Sequence, residues 1–423
     1  MRKINNLLIL AGGDSTRFSP LSEKNFMKFL GQELILHQIK DLMPYAQKIF
    51  VVSNKENYGK MRELTQTLGQ HIEILIQDNA LVGQAGAILS AKNAIQGEVL
   101  VMNANDFFNP NVFTDLVEEI NKKKPQALFL TKEVTSYFPG GYVQFDGDRV
   151  CNIIEKPTPD KTPSNIIKLV VDYFSDFGKL ICAIEEISTR ADDWYETSLN
   201  SLIKKTKGVK HFLYEDYWYS LKYPWHVLPL LEFYLKKITK NTIDPTAAIS
   251  SRVEIIPPVL IKKGVRIGDF SKVVGPCYID ENTIIGDHVL LRESHIGRNA
   301  VIGGNCEIAR SYIADNVMLH RNYVGDSVLD TGTSFGAGAV TANYRFDEEE
   351  VSSMVNHKKV NTHLKKFGSI IGKDSKIGIN ASIFPGVKIG VNTFVSPGSA
   401  VREDIGDDCF VDGSIKKNNI VKY

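Results

Sequence analysis

The sequence predicts an α/β domain with a mostly parallel sheet, followed by a parallel solenoid of short stacked strands. Two periodicities predict it. In the first 240 or so residues, apolar runs at Leu7 to Ala11, Lys48 to Val52, Ile72 to Ile76, Glu98 to Met102 and Ala127 to Leu130 alternate with helical stretches. Such alternation builds a sheet covered by helices on both faces, with ligands at the carboxyl ends of its strands. Beyond it, aliphatic side chains stand at every sixth position from Ile243 through Ile249, Ile255, Ile261, Ile267, Val273, Ile279 and Ile285 to Leu291. One inward side chain per short strand is the repeat of a coil that stacks on itself.

Length and charge narrow the function classes. The 423 residues carry 50 Lys+Arg against 49 Asp+Glu, a net charge of +1, which argues against a nucleic-acid partner held by a broad basic surface. Five scattered cysteines, Cys151, Cys182, Cys277, Cys306 and Cys409, form no CxxC and no zinc-finger spacing, so a reduced compartment fits. The apolar start, Leu7 to Ala11, is too short for a signal-peptide core. No run approaches the roughly 20 apolar residues that span a bilayer. A soluble, cytoplasmic protein with no membrane partner is expected.

The elements follow in order. The first strand ends in Ala11-Gly12-Gly13-Asp14-Ser15-Thr16-Arg17-Phe18-Ser19-Pro20-Leu21. A glycine pair there lets backbone N–H groups approach phosphate oxygens, and Arg17 can neutralise a polyphosphate; on its own the pair is equally a tight turn. Residues 226–240 read as an amphipathic helix leading out of the first domain, with a boundary near Asn241 to Pro245. The domains are therefore expected at 1–240 and 241–423. The six-residue period shortens to five-residue steps at Ile296, Ile302, Ile308, Ile313, Leu319 and Val324, then locks again from Ile371 to Val401. Between them the polar stretch 345–368 is expected as a loop extruded from one coil.

Several strings resemble known families. The glycine-rich turn, Thr16-Arg17 and Pro20-Leu21 resemble the signature of sugar-1-phosphate nucleotidylyltransferases, although the usual Pro-Lys is replaced by Ser22 to Lys28. The resemblance implies a Rossmann-like nucleotidyltransferase domain in which a lysine contacts the α-phosphate, Lys28 being the better candidate and Lys24 the other. It also implies that Gln77 and Gly83, in Gln77 to Ala87, read the base, and that Asp106 holds Mg²⁺ beyond the strand 98–102. By the same resemblance Gly141 lines the sugar site, Glu155 of Glu155-Lys156-Pro157 accepts sugar hydroxyls, and Lys156 holds the sugar phosphate. Ser220 stands where the family places a second acidic or amide metal ligand, and the family's Asn-x-Gly sugar contact is missing around Ile167 to Tyr173, with Asp172 as a substitute candidate.

The repeat resembles the hexapeptide repeat of left-handed parallel β-helices, and the handedness is implied by that resemblance, since parallel crossovers are normally right-handed. Leu319-His320-Arg321-Asn322-Tyr323 and Phe335 to Phe346 resemble the acetyltransferase half of bifunctional acetyltransferase/uridylyltransferases, in particular archaeal-type relatives. This implies acetyl-CoA as co-substrate, His320 as general base, Tyr323 and Asn343 at an amino sugar phosphate, Ala337 at acetyl-CoA, and Tyr344 at one or other of these substrates. A histidine titrating near neutrality suits that step, because an ammonium must lose a proton before it attacks a thioester.

The expectation is a bifunctional enzyme. It would transfer a nucleotidyl group from a nucleoside triphosphate, UTP favoured, to a sugar-1-phosphate and acetylate an amino sugar-1-phosphate, as a homotrimer through the β-helix. Two alternatives stay open: a single-activity pyrophosphorylase with a structural or regulatory β-helix, and an acetyltransferase with a non-catalytic nucleotidyltransferase-like domain.

Overall fold

The computed structural model describes the chain except for Met1, Ser22, Asn79, Val82, Asp148, residues 188–192, Lys207, Ser414 and residues 419–423. Ser22, Asn79 and Val82 fall within strings quoted above and lie outside the described residues. The chain resolves into two compact units, Met1–Asp14 with Ile35–Ser220, and Ser15–Leu34 with Leu221–Tyr423.

The first unit is built on β1 (Ile4–Ala11), β2 (Ala46–Ser53), β3 (Ile72–Ile76), β4 (Val99–Asn103), β5 (Asp106–Phe108), β6 (Ala127–Glu133), β7 (Gly141–Asp146), β8 (Arg149–Glu155), β9 (Ile166–Phe174), β10 (Val209–Leu213) and β11 (Trp218–Ser220). Its helices are α1 (Leu34–Leu42, whose first residue falls to the second unit), α2 (Tyr58–Thr65), α3 (Gly83–Ser90), α4 (Asn111–Lys123), α5 (Phe177–Glu185) and α6 (Trp194–Lys205). The sheet order is β8-β7-β9-β4-β1-β2-β3, with β6 pairing β9 and β10.

Only part of this sheet is parallel. Strands β4, β1, β2 and β3 run parallel, whereas β9 is antiparallel to β4, β6 and β7. The hairpin β7-β8 and the strand β9 pack beside the parallel strands; the hairpin is richer in polar residues, and Lys168 and Asp172 interrupt the apolar sequence of β9. Leu8, Leu10, Phe50, Val52, Val99 and Val101 face a core shared with α3, α5 and α6. The intervening Leu7, Ile9, Ile49, Val51, Leu100 and Met102 are buried as well. Both faces of the central strands are thus covered, which is why those strands read as unbroken apolar runs. Register aligns Ala11 with Ser53, Ser53 with Ile76, and Leu10 with Asn103, so the loops after β1, β3 and β4 leave the sheet at one edge.

The second unit contains a left-handed parallel β-helix. Among the described residues its strands form three sheets of 8, 10 and 8 strands, the last strand of the second sheet pairing antiparallel to its neighbour. One inward row pairs Ile243, Ile261, Ile279, Ile296, Ile313, Leu329, Ile371 and Ile389 in register. The five-residue steps of the sequence are the shortened coils between Ile279 and Leu329. Asn282, Asn299 and Asn316 take left-handed backbone conformations at one corner, where asparagine is tolerated better than a β-branched residue.

The stretch 345–368 departs from the expected loop. It contains an antiparallel hairpin of Val351–Val355 and Lys358–Leu364. Asn356 and His357 both have positive φ, the geometry that a two-residue turn matched to strand twist requires. The helix α7 (Val227–Leu235) precedes the coils. Residues 15–34 pack in this unit: Phe29 stacks on Tyr234 at 5.0 Å, and Tyr312 Oη donates to the Lys28 carbonyl at 2.9 Å.

Candidate active sites

In the first unit, the loop after β1 and the segment after β3 meet. A Cβ placed on Gly12 would lie 2.0 Å from Gln77 Oε1, so a side chain at this position would have to displace the Gln77 amide. The Gln77 amide is held in turn by the carbonyls of Leu81 at 2.8 Å and Gly83 at 3.4 Å. Gly83 opens α3 with φ +72°, and a Cβ on Gly86 would lie 2.3 Å from the Leu81 carbonyl oxygen. Gly12, Gln77 and Gly83 are therefore brought together, and Gly13 is exposed.

Asp106 begins β5 and is 5% exposed. Its Oδ2 accepts from Asn103 Nδ2 at 3.1 Å, its Oδ1 from Trp218 Nε1 at 3.2 Å, and its carbonyl from Gln38 at 2.9 Å. The antiparallel pairing of β5 with β11 sets Ser220 directly across from Asp106. No group of three or more His, Cys, Asp or Glu side chains with metal-binding geometry occurs among the described residues. A single, well-oriented carboxylate suits a magnesium ion that takes most of its ligands from water and substrate phosphates, and Asp106 fits that donor set.

Gly141 pairs directly with Glu155 across β7 and β8. A Cβ on Gly141 would lie 3.3 Å from Glu155 Oε2 and 4.0 Å from Glu196 Cγ. Lys156, with φ +43°, donates its backbone N–H to the Gly140 carbonyl at 3.0 Å, and its ammonium lies 3.4 Å from Glu155 Oε1. Beneath them sits a charge cluster that the sequence pattern did not reveal. Lys168 Nζ bonds Asp172 Oδ2 at 2.7 Å, with the two side chains 2% and 0% exposed, and Tyr195 Oη donates to the same oxygen at 2.8 Å. Asp172 is therefore the buried counter-ion of Lys168. Burial pushes its carboxyl upward and Lys168 draws it back. Glu196, half-buried at the start of α6, is pushed up to about 7, chiefly by burial, with Lys168 opposing and Glu155 adding.

In the second unit, Arg17 lies exposed in a short 3₁₀ turn, Thr16–Phe18. Lys28 Nζ is paired with Asp315 at 2.9 Å, a solenoid partner that spacing along the chain could not disclose.

His320 is exposed at a coil corner just after Met318–Leu319. Asn322, 2% exposed, fixes that corner: its Oδ1 accepts from the His320 N–H, and its Nδ2 donates to the carbonyls of Gly336 and Ala339 at 2.8 and 2.9 Å. Since Leu319 is in register with Phe335, His320 and Ala337 occupy the same corner in successive coils. On the neighbouring sheet Asn343 Nδ2 donates to Tyr323 Oη at 3.1 Å and to Asp326. Asp326, 8% exposed, also takes a two-pronged contact from Arg310, at 2.6 and 2.7 Å. A Cβ on Gly325 would lie 2.5 Å from the Tyr323 hydroxyl and 2.6 Å from Asn343 Nδ2, so the cluster closes over bare backbone. Tyr344 is 44% exposed and bridges to Lys366. Arg310 and Asp326 were missed as a pair, although sixteen residues is one shortened coil here and places them on one face.

Residues 6–221 match the family model described as nucleotidyl transferase. A protein named bifunctional protein GlmU from Methanococcus vannielii is 30% identical over 427 residues, covering 98% of this chain and 98% of its own. A bifunctional sugar-1-phosphate nucleotidylyltransferase/acetyltransferase from Sulfurisphaera tokodaii is 31% identical over 413 residues, covering 94% of this chain and 97% of its own. A bifunctional protein GlmU from Clostridium perfringens is 24% identical, with 98% and 97% covered.

Proposed function

Because the chain belongs to the nucleotidyl transferase family and to the group of bifunctional sugar-1-phosphate nucleotidylyltransferase/acetyltransferases, with similarity across both halves, we propose the following account of its two reactions. It is a transferase with nucleotidyltransferase and acetyltransferase activities, acting on a nucleoside triphosphate, a sugar-1-phosphate and acetyl-CoA.

In the first reaction a sugar phosphate oxygen attacks the α-phosphorus of the nucleoside triphosphate, UTP favoured, and pyrophosphate leaves. Gly12 and Gly13 offer bare backbone to the phosphates, Gln77 and Gly83 hold the base, and Gly141, Glu155 and Lys156 hold the sugar phosphate. Arg17 and Lys28 neutralise charge developing on the triphosphate. Asp106 would hold a magnesium ion, which when bound screens the phosphate oxygens and orients the leaving group. No covalent enzyme intermediate is required, so the rate rests on alignment and charge neutralisation.

In the second reaction His320 takes a proton from the ammonium of an amino sugar-1-phosphate. The freed amine attacks the acetyl carbon of acetyl-CoA and the thiol of CoA leaves. Tyr323, Asn343 and Tyr344 position the sugar phosphate, with Arg310 and Asp326 fixing Asn343, and Ala337 lies at the acetyl-CoA. Assembly is a homotrimer through the β-helix, and the protein acts in the cytoplasm.

The observation that carries both readings is the pairing of Gly12 with Gln77 in one unit and the Asn322-fixed His320 corner in the other. A screen of nucleoside triphosphates against sugar-1-phosphates by pyrophosphate release, run beside a free-CoA assay with glucosamine-1-phosphate, tests them. Wild type should score in both assays, and His320→Ala should lose CoA release by about 10²-fold or more while keeping pyrophosphate release. Absence of CoA release from wild type would leave the solenoid as a structural or regulatory element only, and CoA release untouched by His320→Ala would remove His320 as the base.

A further inference from the structure

The side chains of Glu155 and Glu196 both border Gly141, beside Ile153, whose Cγ2 would lie 3.0 Å from a Cβ there. Glu155 Oε2 and Glu196 Cγ stand 3.3 and 4.0 Å from the position a Gly141 Cβ would occupy. The two come from separate elements, Glu155 from the end of β8 and Glu196 from the first turn of α6.

Among the described residues, the charges around Glu196 come from the elements packed against it, and Asp193, at the N-cap of α6 three residues earlier, is exposed. The end of β8 and the residue after it supply Glu155 and Lys156, themselves paired at 3.4 Å. Strand β9 supplies Lys168 and Asp172, paired at 2.7 Å, and Tyr195, beside Glu196 on α6, is bonded to Asp172. Helix α3 carries no titratable side chain. Lys179 and Glu185 of α5 lie on its exposed face. Arg149 of β8 is directed at the far end of α6, to the carbonyls of Ile203 and Thr206. Among the described residues, Lys156 and Lys168, the cations nearest Glu196, thus each already have an anion of their own. Two ionised carboxylates side by side would leave the pocket with one unbalanced negative charge, a cost that burial increases.

Resting on the nucleotidyl-transfer reading above, we infer that Glu196 is a second sugar-facing carboxyl group beside Glu155 and selects sugar-1-phosphates whose ring substituents are neutral. The protonated acid donates its O–H to a hydroxyl or amide oxygen of the sugar, while Glu155 accepts from a neighbouring hydroxyl. Ionised, Glu196 loses that donor. The upward displacement of its carboxyl to about 7 puts this exchange in the working range.

The test uses the full-length protein with UTP and N-acetylglucosamine-1-phosphate, comparing KM of wild type and Glu196→Gln between pH 6 and pH 8. The glutamine keeps a donor at all pH values, and the ionisation of the sugar phosphate is common to both proteins and cancels in the ratio. The KM ratio of wild type to variant should rise by up to about tenfold between the two pH values, as the donor fraction falls. The KM for UTP should follow the same course in both. A ratio that stays constant across this range overturns the assignment. Glu155→Gln is the second variant and serves also if Glu196→Gln fails to fold: removing the neighbouring charge should move the rise in sugar KM to lower pH, and an unmoved midpoint overturns the assignment as well. Wild type that releases no pyrophosphate with any nucleotide would instead strike the nucleotidyl-transfer reading itself, so the two failures are distinct.

Discussion

Ser220 lies directly across from Asp106 in the antiparallel pairing of β5 and β11. Opposed residues in such a pair project from the same face with their Cβ atoms about 5 Å apart, so a carboxylate at 220 would share the space that Asp106 faces. Ser220→Asp should therefore lower the magnesium concentration needed for half-maximal pyrophosphate release, by about threefold or more, because magnesium readily takes one or two protein carboxylates. Asp106→Asn should reduce the rate by about 10²-fold in the same assay. A magnesium dependence unchanged by Ser220→Asp would mean that the ion, if bound at Asp106, approaches from another side.

The buried pair of Lys168 and Asp172 gives a prediction about stability. The two residues are four apart on one strand, which would normally hold their side chains far apart. They meet because the pairing of β9 with β6 shifts between Lys168 and Asp172, where three residues of one strand stand opposite one of the other. Lys168→Met leaves a buried aspartate with only Tyr195, and the loss of one partner of a buried pair costs about 3–5 kcal/mol. Without the ammonium, the Asp172 carboxyl rises further. The folded state then holds a proton that the unfolded state releases, and stability falls as pH increases between the two values. Urea unfolding of Lys168→Met should accordingly show a larger deficit at pH 8 than at pH 5, and adding Asp172→Asn should recover most of it. Equal deficits at both pH values would mean that Asp172 stays ionised without its lysine.

These contrasts also mark what could be read from the chain. Local and periodic features were legible: the inward row from Ile243 to Leu291, the glycines that bare the backbone at Gly12 and Gly141, and an aspartate closing an apolar strand. Features that depend on a break in regularity were not. The Asn356-His357 turn makes a hairpin only because both residues take left-handed conformations, and His357 does not announce that. The Lys168–Asp172 contact requires the register shift. The Arg310–Asp326 contact requires a coil of sixteen residues, whereas a six-residue period suggests eighteen. The contact of Lys28 with Asp315 spans 287 residues, and no local pattern encodes it.

His295 supplies the last prediction. It is 2% exposed, stacked in register between Tyr278 and Tyr312 with ring centroids 4.8 Å from each, and its Nδ1 has no hydrogen-bond partner. Burial lowers its basicity to about 3, and Asp315 opposes only weakly. The unfolded chain takes up a proton here near pH 6.5, and the folded chain resists it until about 3. Between those values the unfolded state binds more protons, so this histidine's contribution is constant above about 6.5 and weakens progressively as pH falls. Each unit is worth about 1.4 kcal/mol, so between pH 7.5 and pH 4 the folded state should lose roughly 3 kcal/mol through this one ring. His295→Phe keeps a ring in the ladder and removes the titration. Whatever its packing costs at neutral pH, the variant's stability should fall less on acidification, by about that amount, in urea unfolding followed by circular dichroism. Parallel pH profiles for wild type and variant would show that His295 titrates alike in both states, and that the aromatic ladder opens to water before it charges.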